Sequence, residues 1–452
     1  MVKIPLLSQI FVWSIIFELL YFFTIPILGQ RPAISRFLQV IVLIGLLIKW
    51  LRFSRLNDFK IININHPNYR YYSFYFGLVV LAGIIGIFSG AYSVDVDFVN
   101  NLNEIAAPRT SISPIENMAI EYLIALYYFV YFVILPRYLF KSEKSVSYFF
   151  TCFKFTFIVC LVVGFVDFGF SNFGYTILPT DIARGIARGG DAGVRFHGLA
   201  GEPRFAFVYL FLGLAILYLQ AHFRGFTLSK WWLLPIILAA IFTKSASGLI
   251  GVSLFLVLYG FYGLKYISIL QTFKMTALII LVICFIYVSV STSERTMLYI
   301  ESASGLWDLL ESGMEIPHPI SVQMYNIYPI YDLTVKFRDL NLLPILIGSG
   351  LGSASVINNN YLSGSYIVSN PQSQLVRLIY EAGLIGTLFF IFSFISPVKY
   401  LTKNLPFKKQ KEFILITLLL LGCFLGHRTA AGFIYLGAFI SAFRVLNNKY
   451  TM

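Results

Sequence analysis

Long apolar runs dominate the chain and recur along most of its length. Many of them approach the ~20 residues that a helix needs to cross the roughly 30 Å hydrocarbon core of a bilayer. Strands of a membrane barrel would alternate apolar and polar residues, and these runs do not. Because lipid cannot hydrogen-bond loose backbone groups, the runs are expected to be helices. The pattern predicts an all-α, polytopic integral membrane protein, with residues 1–452 forming a single membrane domain.

The apolar runs predict about twelve spans, within a range of ten to fourteen, because the second and seventh runs are short for a bilayer. The predicted spans are 6–29, 37–51, 71–92, 117–140, 147–170, 204–222, 231–243, 247–263, 274–292, 374–398, 412–426 and 430–446. Three of the intervals between them are long, and two are expected to matter most. Residues 171–203 are rich in arginine and glycine, and residues 293–373 form the largest loop, between spans nine and ten.

Composition and charge orient the spans. The chain is 58% hydrophobic and only 12% charged, which is too little charge to cover a soluble protein of this length. Clusters of Lys and Arg within 49–70 and 399–411 lie between even-numbered and odd-numbered spans, so these connections are expected to face the cytoplasm. Both termini are then cytoplasmic and the long loops lie outside. The net charge of +13 is expected to meet anionic membrane lipid, with no nucleic acid as a partner.

Arginine, rather than lysine, predominates on the predicted outer side, where the positive-inside rule selects against cations. A guanidinium group presents a planar fork that binds phosphate oxygens in a bidentate manner. The arginines are therefore candidates for binding a phosphate group. The alternative is that some of them only pair with outer carboxylates such as Glu202 or Asp339.

Four even-numbered spans are expected to begin at the outer surface with a cation in or beside the first turn. These starts carry Arg204, Lys244, Arg377 and the pair His427–Arg428. Helix N-termini attract anions through their free N–H groups and partial positive charge. Arg195 and His197 precede the sixth span, and Arg184 and Arg188 share one face of a predicted short helix in the same loop. Convergence of the four starts would form a cationic site at the outer boundary of the membrane.

Motifs in the second half of the chain carry a family resemblance. Residues 195–204 fit the pattern R-x-x-G-x-x-x-E-P, and residues 242–249 contain T-x-S-x-x-G two spans later. Glycine-rich residues 348–352 and then residues 374–386 follow at the end of the large loop. In order and position these motifs resemble the O-antigen polymerases of the Wzy type, within the O-antigen polymerase/ligase superfamily of membrane glycosyltransferases. The resemblance covers about residues 180–400 and implies a glycosyltransferase-C-like membrane fold.

The resemblance implies an enzyme that polymerises undecaprenyl-pyrophosphate-linked oligosaccharide repeat units into O-antigen, capsule or exopolysaccharide. The implied place is the outer face of the bacterial cytoplasmic (inner) membrane, facing the periplasm or the exterior. A chain-length regulator and a flippase are implied partners. Ligase relatives usually carry a His-Asn pair near the end of the large loop, where this chain has Gln372 and Ser373. That departure argues against an O-antigen ligase. The ligase and a lipid-linked oligosaccharide flippase remain the alternatives.

The implied transfer requires a base for the acceptor hydroxyl and cations for the pyrophosphate. The candidate catalytic residues are Glu202 as the first choice, then His197 and His318. The candidate pyrophosphate-binding residues are Arg195, Arg204, Lys244, Arg377 and Arg428, with Arg184, Arg188 and His427 as accessory residues. No metal and no cofactor is expected, although Asp95 and Asp97 form an Asp-x-Asp that is a weak alternative metal site. Glu381, inside the tenth span, is expected to be functional or simply paired.

Overall fold

A computed structural model describes residues 4–20, 33–53, 66–92, 113–175, 177–178, 194–245, 248, 251–257, 327–361, 371 and 373–450. Within these ranges every regular element is a helix, and no strand occurs. Several predicted features lie outside the described residues: the ninth span, the large loop up to residue 326, and the candidates Asp95, Asp97, Arg184, Arg188 and His318.

Fourteen helices are bounded within the described ranges. They are α1 (Leu6–Ile16), α2 (Ile34–Phe53), α3 (Arg70–Phe88), α4 (Pro114–Phe129), α5 (Leu135–Leu139), α6 (Glu143–Asn172), α7 (Pro203–Phe223), α8 (Leu233–Phe242), α9 (Ile327–Arg338), α10 (Leu342–Ile347), α11 (Ser353–Tyr361), α12 (Gln374–Leu401), α13 (Phe407–Gly426) and α14 (Ala431–Tyr450). A π-helical turn, Val130–Ile134, joins α4 to α5, and residues 251–257 are also helical.

Six candidate membrane spans are long and apolar enough to cross a bilayer. They comprise most of α2, then α3, the continuous run Pro114–Leu139, α6, α7 and α12. Shorter apolar stretches cover Leu6–Leu19, Lys230–Phe242 and Ala431–Asn447. The prediction of a helical membrane protein is therefore confirmed for the described residues. The number of spans and their orientation stay predictions.

The chain divides into two compact units. Unit 1 comprises residues 1–64, 128–282 and 397–452, and unit 2 comprises residues 65–127 and 283–396. This division into two units does not test the prediction that the whole chain forms one membrane domain, which stays a prediction.

The core of unit 1 is built around α7. This helix is the most buried of the six candidate spans, and it packs against α6, α8, α13 and α14. Glycines let the helices approach closely, as is usual in membranes. A Cβ atom at Gly213 of α7 would overlap the ring of Phe157 on α6. A Cβ atom at Gly422 of α13 would lie 2.8 Å from the backbone nitrogen of Phe255.

In unit 2, helix α12 is broken. Gly383 has φ +65°, a left-handed conformation that glycine adopts without a steric penalty. On the N-terminal side of this break, the carbonyls of Tyr380 and Glu381 accept hydrogen bonds from the amides of Ser349 (3.0 Å) and Gly350 (2.9 Å). Irregular backbone at membrane depth is tolerated where protein groups satisfy it in this way. The glycine-rich segment before α11 is thereby attached to the middle of α12.

The substitution Gly437→Ala tests the helix packing of unit 1. A Cβ atom at Gly437 of α14 would overlap the carbonyl oxygen of Phe132 in the π turn. Overpacking of this kind costs about 1–3 kcal/mol, so the thermal unfolding temperature of the detergent-solubilised protein should fall. The matched control is Gly169→Ala in α6, where no atom lies within 4 Å of the added carbon. It should leave the temperature unchanged or raise it slightly, because alanine favours helix. Equal unfolding temperatures for the two variants would contradict the packing described here.

Candidate functional site

Glu202 and Arg204 stand at the start of α7. Glu202 is the N-cap residue with extended backbone, and Pro203 takes the first helical position, where its missing N–H costs no hydrogen bond. The Glu202 side chain does not cap the helix. Its Oε2 atom instead accepts a hydrogen bond from Arg204 Nε at 2.5 Å. One oxygen of the carboxylate is therefore held in place by its neighbour in the first turn.

The second oxygen of the Glu202 carboxylate has no such partner. Glu202 is only 2% exposed, and its Oε1 atom is buried without a hydrogen bond from any described residue. Leaving a buried acceptor unsatisfied is costly, because the water it would bind in solution has been removed. A buried orphan atom of this kind in a native fold requires an explanation such as a bound ligand, a water or a catalytic role.

An aromatic contact joins the start of α7 to the connection between α13 and α14. The Arg204 guanidinium lies 5.6 Å from the centre of the Phe205 ring. That ring meets the ring of His427 edge-on, with centroids 4.8 Å apart. His427 is buried at the end of α13, where the backbone becomes extended, and the half-buried Arg428 follows it. Two of the predicted cation-bearing helix starts are therefore neighbours.

A third helix start reaches the same part of unit 1. A Cβ atom at Gly248 would lie 2.6 Å from the ring of Phe207, one turn into α7. A Cβ atom at Gly251 would lie 2.8 Å from the Cα atom of Cys423, four residues before His427. The helix that follows Lys244 thus packs between the start of α7 and the end of α13. Three of the four predicted starts belong to one unit.

Arg195 caps a helix. Its Nε atom donates to the carbonyl of Thr243 at 3.0 Å, and its Nη2 atom donates to that of Lys244 at 2.8 Å. The amide of Phe196 donates to the carbonyl of Phe242 at 2.8 Å. Carbonyls at the end of a helix lack helical hydrogen-bond donors. At the end of α8, Arg195 and the amide of Phe196 supply those donors. Lys244 contributes its carbonyl, and its own side chain is exposed.

His197 faces two hydrogen-bond acceptors. Its Nε2 atom lies 3.4 Å from Asp167 Oδ2, and its Nδ1 atom lies 3.0 Å from the carbonyl oxygen of Gly198. Asp167 is buried on α6, and its other oxygen accepts from two backbone amides of the next loop. Both neighbours are hydrogen-bond acceptors, so both ring nitrogens of His197 are already engaged within the protein. The residue therefore fits the role of a base less well than Glu202.

Arg377 lies in unit 2, between two carboxylates. Its Nη2 atom is 2.9 Å from Glu121 Oε2, and its Nε atom is 2.8 Å from Glu381 Oε2. Each of the three side chains is no more than 6% exposed. The other oxygen of Glu381 accepts from the amide of Gly352 at 2.9 Å. Glu381 is therefore paired, one of its two expected states. These two carboxylates compete with any anion for Arg377. Pairing with them explains the buried arginine without a bound pyrophosphate.

Several charged partners in the structure had not been singled out from the sequence. Asp167 and Glu121 lie inside predicted spans, where an ionisable side chain is rare and usually paired or functional. Their position was thus a usable signal, although it does not reveal the partner. Near the N-terminus, Glu18 is buried between Arg36 (2.9 Å) and Gln39 (2.6 Å), which ties the start of α2 to the residues after α1.

Comparison with known proteins adds no relative. No family model matches the chain, and no curated protein is significantly similar to it. Among the described residues, no group of three or more His, Cys, Asp and Glu side chains is arranged to hold a metal ion. The chemistry of the site therefore has to follow from the start of α7 and its neighbours.

Arg195→Ala should destabilise the protein, because it removes both hydrogen bonds from the end of α8. Loss of a charged donor from two carbonyls costs about 1–3 kcal/mol, which a lower thermal unfolding temperature of the purified protein would report. Lys244→Ala is the matched control, since it removes an exposed cation and keeps the carbonyl that Arg195 binds. If Lys244→Ala lowered the unfolding temperature as much as Arg195→Ala, the capping role of Arg195 would be refuted.

Proposed function

We propose that the chain is a membrane glycosyltransferase that polymerises undecaprenyl-pyrophosphate-linked oligosaccharide repeat units into a surface polysaccharide. The donor and the acceptor are both lipid-linked glycans, and the reaction takes place at the outer face of the bacterial cytoplasmic membrane. In this proposal about twelve helices span the membrane, as the apolar runs predict. Both termini are cytoplasmic, and the loops 171–203 and 293–373 lie outside.

The unpartnered oxygen of Glu202 is the observation that carries this proposal. Arg204 fixes Oε2, so Oε1 is presented in a defined direction from a buried site at a helix start. A base in this position takes the proton of the acceptor hydroxyl as the hydroxyl oxygen bonds to the anomeric carbon of the donor. The bond from that carbon to the pyrophosphate oxygen breaks, and its electron pair leaves with the lipid pyrophosphate. Glu202 lies within the motif whose pattern resembles the polymerases.

The surroundings of Glu202 suit the charge of the departing pyrophosphate. The Arg204 side chain is 24% exposed, so its guanidinium reaches beyond the buried carboxylate. His427, whose ring contacts that of Phe205, is followed by Arg428, so a second cation stands next in sequence to this contact. Donors and cations placed before the reaction stabilise charge as it develops in the transition state. This arrangement supports an anionic leaving group rather than a neutral one.

The two alternative functions, O-antigen ligase and flippase, are supported by different parts of the structure. An O-antigen ligase performs the same bond exchange with a different acceptor, so the geometry at Glu202 serves it equally well. A flippase is favoured by one observation, the break of α12 at Gly383 beside the buried charges of Glu121, Arg377 and Glu381. Broken helices with charged groups are typical of transporter sites. Glu202, held at one oxygen by Arg204, lies in the motif that resembles the polymerases, so we prefer the enzyme.

The glycan profile of a deletion strain should distinguish the three activities. A strain lacking a polymerase should carry single repeat units on the final acceptor, seen as one short band on a gel of surface glycan. A ligase deletion should leave long chains on the undecaprenyl carrier and none on the final acceptor. A flippase deletion should strand single units on the cytoplasmic side. Long chains attached to the final acceptor in the deletion strain would exclude the polymerase.

Glu202→Gln tests the base. The amide keeps the size of the side chain but no longer accepts a proton, so chain growth should fall by about 10²–10⁴-fold, measured as the yield of polymer per amount of membrane-inserted protein. Glu412→Gln is the matched control, because Glu412 pairs with Lys409 (2.9 Å) and receives a hydrogen bond from Tyr218 elsewhere in unit 1. It should leave growth within about two-fold of the wild type. Normal growth in Glu202→Gln would remove Glu202 from the mechanism.

A further inference from the structure

One terminal nitrogen of the Arg377 guanidinium makes no hydrogen bond to a described residue. Its Nε and Nη2 atoms bind the two carboxylates, but Nη1 is buried and has no hydrogen-bond partner among the described residues. One turn earlier on α12, the Oε1 atom of Gln374 is also buried without a partner. Residues three apart lie on the same face of a helix. The start of α12 therefore carries an unsatisfied donor group and an unsatisfied acceptor one turn apart.

The charge of Arg377 is already balanced by its partners. With Glu121 and Glu381 both ionised, the three side chains sum to one negative charge, and with one carboxyl protonated they sum to zero. In neither state does the group attract an anion from a distance. The Nη1 atom keeps two N–H groups that can donate hydrogen bonds. Arg377 is thus equipped to bind an oxygen atom of a neutral group, and not well equipped to bind pyrophosphate.

A neutral hydroxyl group complements this pair of atoms. A hydroxyl donates one hydrogen bond and accepts others, so it complements both an acceptor such as Gln374 Oε1 and a donor such as Arg377 Nη1. Glycans present many such groups in fixed directions. The first turn of a helix also offers backbone N–H groups without helical partners. The start of α12 combines these features in a buried setting, since Arg377 is only 3% exposed.

We propose that Gln374 and Arg377 form a subsite for an uncharged sugar residue of the repeat-unit glycan. Gln374 Oε1 accepts from a sugar hydroxyl, and Arg377 Nη1 donates to the oxygen of that hydroxyl or of its neighbour. Glu121 and Glu381 act as positioning residues, because they hold the guanidinium and cancel its charge. The inference rests on the proposed function and names a part of its substrate. It also reassigns Arg377 from the lipid pyrophosphate to the glycan.

A binding experiment on the full-length protein in nanodiscs tests the subsite. The two probes are the free oligosaccharide, released by mild acid from the lipid-linked pool of the source cells, and inorganic pyrophosphate. Gln374→Ala should weaken oligosaccharide binding at least ten-fold and leave pyrophosphate binding within two-fold. Gln374→Glu retains an acceptor oxygen of similar reach and should keep most of the affinity for the oligosaccharide.

The matched control is Asn68→Ala. Asn68 lies elsewhere in unit 2 and also has a buried amide oxygen without a partner. Its loss should change neither affinity. Unchanged oligosaccharide binding in Gln374→Ala would mean that an ordered water alone satisfies the two atoms, and the subsite would be wrong. Weakened pyrophosphate binding with normal oligosaccharide binding would instead make the start of α12 an anion site and would overturn the proposal equally.

Failure of the subsite and failure of the proposed function give different results. Binding is measured without turnover, so oligosaccharide affinity that depends on Gln374 would support the subsite even if the protein formed no polymer. If the wild type forms polymer, Gln374→Ala should raise the apparent KM for the lipid-linked unit about ten-fold with kcat nearly unchanged, as expected when uniform binding is lost. Polymer formation with an unchanged KM would retain the polymerase and reject the subsite.

Discussion

The hydrocarbon interior of a bilayer supplies no hydrogen bonds, so every polar atom carried into it must find a partner within the protein. This constraint explains much of the structure. Glu18 is held by Arg36 and Gln39, Asp167 by His197 and backbone amides, and Glu381 by Arg377 and Gly352. The broken middle of α12 is satisfied in the same way by the amides of Ser349 and Gly350. Charge is present in these helices because it is paired.

Against that background, two polar atoms without partners are informative. Glu202 Oε1 and Arg377 Nη1 each belong to a group whose other atoms are well satisfied, one in each unit. Partial satisfaction fixes the direction of the remaining atom, which is what preorganised chemistry requires. The two groups differ in charge balance. Arg204 binds one oxygen of the Glu202 carboxylate and leaves the other oxygen available. Glu121 and Glu381 balance the charge of Arg377 and leave its Nη1 atom available as a hydrogen-bond donor. The first suits proton transfer, and the second suits recognition of a neutral ligand.

The sequence predicted the six long apolar helices of the described residues to within a few residues, because hydropathy reports directly on the lipid environment. It also placed Glu202 and Arg204 together, since only Pro203 separates them and both lie at one helix start. It could not assign Arg195 or Arg377, because their partners are far along the chain and are brought close only by packing. Arg195 meets the end of α8, and Arg377 meets Glu121 of α4. An isolated arginine in a sequence looks the same whether it caps a helix, balances a carboxylate or binds a phosphate.

Reconstitution of the purified protein tests the central claim, glycosyl transfer from a lipid pyrophosphate, most directly. The protein would be placed in liposomes that contain lipid-linked repeat units as the only substrate, without nucleotide sugars or other proteins. The measurement is the amount of undecaprenyl pyrophosphate released relative to the glycosidic bonds formed. We expect one molecule of lipid pyrophosphate for each repeat unit added to a chain. Movement of intact lipid-linked units across the bilayer, with no pyrophosphate released and no longer chains formed, would contradict the account.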